Sequence, residues 1–157
     1  MNTFLLVANS ADAVSGGRIP ADVIVGRRLA AGQWPLYKNT PHQKEMQSGD
    51  KAIIYLAGPK QMKFVAQVQI DAITSAKNFS ADGDDALTDA PVQTILFSKV
   101  QWFDEPVSIR GIMAHLDFVP KNTIKWGCVL QRGAKKISFS DAEVILAKAL
   151  PQLAKVS

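Results

Sequence analysis

One cysteine and two histidines among 157 residues leave little for thiol or metal chemistry. Cys128 alone forbids an internal disulfide, and with only His42 and His115 beside it no cysteine-rich zinc site can be assembled. No stretch approaches the roughly 18 uninterrupted apolar residues that a spanning helix needs. The first eight residues have no basic flank and only a short apolar run, so they do not read as a signal peptide. A reducing cytoplasm is the expected location, with no membrane partner. There is no glycine-rich loop ending in Lys-Ser/Thr and no dinucleotide fingerprint. A glycine-flanked serine of the hydrolase-elbow type is also missing. Cys128 lies in an apolar segment and reads as a core thiol, while His42 and His115 read as surface and helix-end residues. Asp104 and Glu105 are adjacent on a predicted strand, so they point to opposite faces and make a poor acid/base pair. These absences argue against an enzyme, and no metal or cofactor is expected.

What is present is enough to fold. Hydrophobic residues make up 47% of the chain and charged residues 20%, a globular balance. A chain of this length buries roughly 70% of its unfolded surface and needs no covalent staple. The net charge of +4 is unevenly spread. Residues 1–70 hold eight Lys/Arg against four Asp/Glu, residues 71–105 two against seven, and residues 106–157 eight against three. Two basic segments thus flank an acidic middle. If the ends fold together they form an anion-facing surface, with the basic side chains of 18–38 and 121–136 on one face and the 75–90 loop away from it.

Thr3–Ala8 is a short apolar run suited to a buried strand, and Asn9 and Ser10 stand at its exit. Residues 22–31 read as a helix stopped by Gly32, and Gln33–Asn39 as an ordered loop because of its proline and aromatics. Thr40-Pro41-His42-Gln43 reads as the start of a short helix, with Thr40 as cap. Residues 52–57 and 63–73 read as a strand hairpin, 75–90 as a polar loop and 92–103 as a strand. On that last strand, core packing is expected for Trp102 as well as for Ile95 and Phe97. Ser108 is expected to cap a helix to about Leu116. Ser140-Asp-Ala-Glu143 reads as a capping box, with Phe139 and Val144 as its hydrophobic staple, opening the last helix. The sum is an α+β chain around a small, mainly antiparallel, barrel-like sheet.

Trp34, Pro35 and Tyr37 stand with Lys38 and Asn39 in the predicted loop. A flat indole beside amide and lysine donors can stack a base and read its polar edge, although composition alone favours a core-capping tryptophan. The pieces in order resemble the EVE domain. They are Thr3-Phe-Leu-Leu-Val-Ala-Asn-Ser10, Trp34-Pro35, Gly49-Asp-Lys-Ala-Ile-Ile-Tyr55 and Lys63-Phe-Val-Ala66 in the first half. Asp104-Glu-Pro106, Leu116-Asp-Phe-Val-Pro120, Lys125-Trp-Gly127 and Ile137-Ser-Phe-Ser-Asp141 follow in the second. The resemblance covers essentially the whole chain, residues 1–157, as a single domain. It implies membership of the PUA-like superfamily with YTH and ASCH domains: a pseudo-barrel of five or six strands flanked by helices, with a pocket for a base turned out of its strand. By resemblance to YTH proteins, Asn9 and Trp34 fall on pocket positions. A second cage tryptophan of those proteins belongs to the 75–90 loop, where this chain has Phe79, and Pro35 removes a backbone donor. Methyl-adenine specificity therefore does not carry over.

The expected function is a non-catalytic nucleic-acid-binding domain that reads a modified base, such as methylated or hydroxymethylated cytosine, in DNA or RNA. Asn9 and Ser10 would bond the base edge, Trp34 would stack, and Pro35, Tyr37 and Lys38 would border the pocket. Arg18, Arg27, Arg28 and Lys38 are the first phosphate contacts expected, with Lys121, Lys125 and Arg132 next. A nuclease or another effector protein is the expected protein partner. The rival class is a sensor of a free nucleotide or similar metabolite using the same pocket, and a hydrolase built on Cys128 and His115 is a third.

Overall fold

The computed structural model describes residues 1–58, 60–81, 90–119, 130 and 133–150. Its centre is β1 (Thr3–Ala8), buried along all but its first residue. It pairs in parallel with β5 (Lys51–Leu56) and antiparallel with β8 (Ala134–Ile137). A strand pleat sends alternate side chains to opposite faces, so a run this uniformly apolar needs a core on both. Phe4 and Leu6 of β1, with Ile54 of β5, enter one core, which α1 (Ala21–Ala31) covers with Val25 and Leu29. Leu5, Val7 and Ile53 enter the other, covered by α2 (Ile109–Ile112) and by Ala142 and Ile145 of α3 (Phe139–Ala149). Each such fully buried aliphatic side chain contributes roughly 1.5–3 kcal/mol.

Two long strands, β6 (Lys63–Ser75) and β7 (Gln93–Ser108), complete the hairpin side of the sheet. Their pairing shifts register three times, and Lys99 takes a φ of 53° within β7. These irregularities bend the pair enough for β7 to serve both cores, Ile95 and Phe97 in the first, Phe103 and Val107 in the second. With β4 (Gln33–Leu36), the order among the described residues is β4-β7-β6-β5-β1-β8. The expected α+β, mainly antiparallel pseudo-barrel of five or six strands flanked by helices is the architecture the chain adopts, with six strands in its main sheet. A short hairpin of β2 (Ala11–Asp12) and β3 (Arg18–Ile19) stands apart from the sheet.

Several local readings are corrected. Gln33–Leu36 is a strand, not a loop: it runs antiparallel to β7 at the sheet edge, where a proline's missing N–H is tolerated. Gly32, at φ 70°, ends α1 and turns the chain directly into that strand, and a Cβ there would meet the Phe97 carbonyl at 3.1 Å. The predicted helix after Thr40 is a series of turns. His42 has φ 64°, and the Thr40 hydroxyl accepts from the Tyr37 amide behind it. Trp102 is 51% exposed, since it follows the irregular stretch at which β7 passes from one core to the other. The α3 cap is Ser138, whose hydroxyl accepts from the Asp141 amide at 3.1 Å, and not Ser140; Phe139 is 77% exposed and staples nothing. Ser108 makes no capping bond, and the helix after it passes into a 3-10 turn at Met113–His115.

Candidate functional site

Because β1 and β5 are parallel, both chains leave the sheet on the same side. Their last register pair is Ala8 with Leu56, after which the chain runs into Ser10 on one strand and into Ala57 and Gly58 on the other. The N-terminus of α1 lies beside them. The Ala57 amide still donates to the Ala8 carbonyl at 2.9 Å, and a crevice lies beside the two exits. It is a cavity of about 350 Å³. Pro20, Ala21 and Ala57 give it apolar walls, while Ser10, Lys60 and Gln61 bring polar groups to it. The volume is at the small end of ligand sites, suited to one flat ring with a few polar atoms and not to a dinucleotide.

The Ser10 hydroxyl accepts from Arg18 Nε at 2.9 Å, which leaves its own proton free to donate to a ligand. Arg18 also donates to the Asp12 carboxylate at 3.0 Å, bracing the β2–β3 hairpin against the exit of β1. Asn9, expected beside Ser10 in the pocket, is exposed and is not among the residues that line the cavity. At the N-terminus of α1, Pro20 occupies the cap position without a side-chain bond to the first turn. The amides of such a turn favour partial negative charge in front of them.

The remaining expected pocket residues are elsewhere. Trp34 is 3% exposed, so the expected partly exposed stacking shelf is corrected: the indole belongs to the core beneath α1. Its ring carries the guanidinium of Arg28, whose central carbon lies 4.8 Å from the ring centroid and 5.9 Å from that of Phe79. A guanidinium between two ring faces is a cation–π arrangement, strengthened here by exclusion of water. Arg28 is 5% exposed, which corrects its expected role as a phosphate contact: its guanidinium is held inside the molecule against the two rings. Pro35 is buried on β4, Tyr37 is half-buried, and Lys38 is exposed beyond it; none of them lines the cavity at Ser10.

The described first part of the 75–90 loop is not remote from the basic segment either. Gln33 donates to the Asn78 carbonyl at 2.8 Å and accepts from the Ser80 amide at 2.9 Å, pinning the loop's first part beside Arg28. Arg27 is half-buried and Arg18 exposed. Lys121, Lys125, Arg132, Trp126 and Cys128 lie outside the described residues. Lys60 and Gln61 were missed by sequence reasoning. Their signal, a turn directly after an apolar strand, acquires meaning only once that strand is known to run parallel to β1.

Among the described residues, Glu45 and Tyr55, neither of which lines the cavity, have clearly shifted titrations. Glu45 is held below its usual value by a hydrogen bond from His42 at 3.3 Å and then by Lys136 of β8 at 3.2 Å. Burial pushes the Tyr55 phenol up to about 12. Among the described residues, no three His, Cys, Asp or Glu side chains converge to hold a metal ion, and no helix is long and apolar enough to cross a membrane.

The curled, mostly antiparallel six-stranded sheet with helices on both faces is consistent with the expected α+β, PUA-like architecture. No family model matches the sequence, and no curated protein matches it. Solved structures do. Human THYN1, crystallised in complex with 5-methylcytosine-containing DNA, superposes with a TM-score of 0.60 at 10% identity, covering 96% of this chain and 98% of that one. The N-terminal domain of McrB from Staphylothermus marinus gives 0.60 at 12% identity over 93% of each chain. The MmI1 YTH domain gives 0.57 at 9% identity over 99% of each. At such identities the likeness is one of fold.

Proposed function

We propose that this protein is a non-catalytic nucleic-acid-binding domain that takes one turned-out, modified base into the cavity at the exits of β1 and β5. The observation that carries the reading is that cavity: sized for a single ring, apolar on its walls, with Ser10, Lys60 and Gln61 brought to it by two parallel strands. Turning a base out costs a few kcal/mol, which apolar contact with its faces and hydrogen bonds to its edge offset. The ring of Pro20 and the Ala57 methyl supply the apolar contact, and Ser10 and Gln61 the edge bonds. A methyl group on a cytosine adds about 0.8 kcal/mol of burial where it meets an apolar wall. That THYN1, of the same fold, is seen with 5-methylcytosine DNA supports a modified cytosine as the base. A reader of this kind leaves the chemistry to a partner, and a nuclease is the class of effector we propose.

Lys60 is the test. As a phosphate contact at the mouth of the cavity, its replacement in Lys60→Ala weakens binding to all oligonucleotides alike and lowers the salt slope by about one unit. Ser10→Ala instead narrows the gap between modified and unmodified base. Fluorescence anisotropy across a sodium chloride series measures both. Binding of a free nucleoside as tight as that of the oligonucleotide, and indifferent to salt, would support the sensor in place of the reader.

A further inference from the structure

The β2–β3 hairpin has no place in either core, yet it is rooted at the cavity on both sides. Ser10 immediately precedes it and Pro20 immediately follows it, and both line the cavity. It is braced without help from a ligand. Arg18 ties its base to Ser10 and Asp12, at 2.9 and 3.0 Å. Its tip closes through Ala13 N–H to the Gly17 carbonyl and Gly16 N–H to the Ala13 carbonyl, each at 3.0 Å. Gly16 and Gly17, at φ 96° and 83°, permit that reversal. Ala13 is buried, while its neighbour Val14 stands 68% exposed. A single exposed valine is ordinary on a surface. This one crowns an ordered two-stranded finger whose two feet stand at a base-sized cavity.

We propose that Val14 is the wedge that enters the gap left in a base stack when the neighbouring base moves into the cavity, and that duplex DNA is therefore the substrate class. The inference rests on the reading of the cavity as a base site and deepens it. Apolar side chains inserted between base steps partially unstack and kink a duplex. Four residues from Ser10 to Val14 reach at most about 13 Å, enough to span from a cavity mouth into an adjoining groove. The major groove of B-DNA, about 12 Å wide, admits a two-stranded ribbon, whereas the deep, narrow major groove of A-form RNA does not. A single strand offers no vacated stack, so there the wedge has nothing to fill.

The experiment compares the full chain with Val14→Ala and Val14→Leu on three probes carrying one 5-methylcytosine: a DNA duplex, the same single strand, and an RNA duplex of equivalent sequence. Val14 is exposed, so thermal melting of both variants should match the parent and exclude a folding effect. Loss of two methyl groups from a buried wedge lowers duplex DNA affinity about tenfold in Val14→Ala and leaves single-strand affinity within about twofold. Val14→Leu restores it. A 2-aminopurine beside the modified base brightens on binding of the parent and less with Val14→Ala. Equal losses on duplex and single strand, no loss on either, or preference for the RNA duplex would overturn the wedge. A parent chain that binds no probe would overturn the base-reader reading itself.

Discussion

Trp34 carries the main correction at the scale of single residues. In sequence it stands beside Pro35, Tyr37 and Lys38, a setting whose composition favours a core cap, while the family resemblance implies a stacking shelf. The turn at Gly32 decides between them: it folds β4 back under α1, so that the indole enters the core and its face receives Arg28. Nothing local to the tryptophan encodes that burial. It follows from a helix stop and from a strand pairing with β7, some sixty residues further along. Trp34→Ala therefore leaves a core cavity and lowers stability by ~3–5 kcal/mol, a large part of the ~5–15 kcal/mol typical of a whole domain. Urea unfolding measures the change. An unaltered midpoint together with a selective loss of nucleic-acid binding would return the indole to the role of a shelf. Of Asn9 and Ser10, which the sequence places together just past a buried strand, Ser10 lines the cavity and Asn9 does not, and nothing in the sequence separates the two.

Among the elements, those with a strong apolar period were readable and those held by a single distant contact were not. β1, β5 and β6 announce themselves as apolar runs between turn residues, and α1 by its glycine stop. The turns after Thr40 were misread because a cap, a proline and a glutamine in the right spacing also serve a loop. Gln43 gives its side-chain amide to the carbonyls of Tyr37, Lys38 and Thr40 and so satisfies the turn that a helix would have replaced. The start of α3 was displaced by two residues for a similar reason, since Ser138 and Ser140 both offer a hydroxyl three residues before an acid. Asp141 settles it: its amide donates to Ser138, while its buried carboxylate accepts from the Asp117 and Phe118 amides at 2.7 and 3.2 Å. Ser138→Ala should then cost about 1 kcal/mol of stability and Ser140→Ala little, as measured by thermal or denaturant melts. Equal costs for the two, or the larger for Ser140, would show the cap to be wrongly placed.

For the whole molecule, the sheet order explains what composition could only suggest. A parallel β1–β5 pair in an otherwise antiparallel sheet brings two strand exits together and makes the cavity. Parallel pairing is a tertiary fact, which is why Lys60 escaped notice while the fold class did not. The basic segments remain the expected source of phosphate affinity, although Arg28 is withdrawn into the interior and Arg18 is committed to the hairpin. The central claim is that the cavity receives a modified base from nucleic acid. Its most direct test is competition binding of the full chain to a DNA duplex with one 5-methylcytosine against the identical unmodified duplex, at fixed moderate salt. The account predicts preference for the modified duplex by a few-fold, the worth of one buried methyl group at about 0.8 kcal/mol, with the preference reduced in Ser10→Ala. Equal affinity for the two duplexes, or a preference untouched by Ser10→Ala, would contradict it.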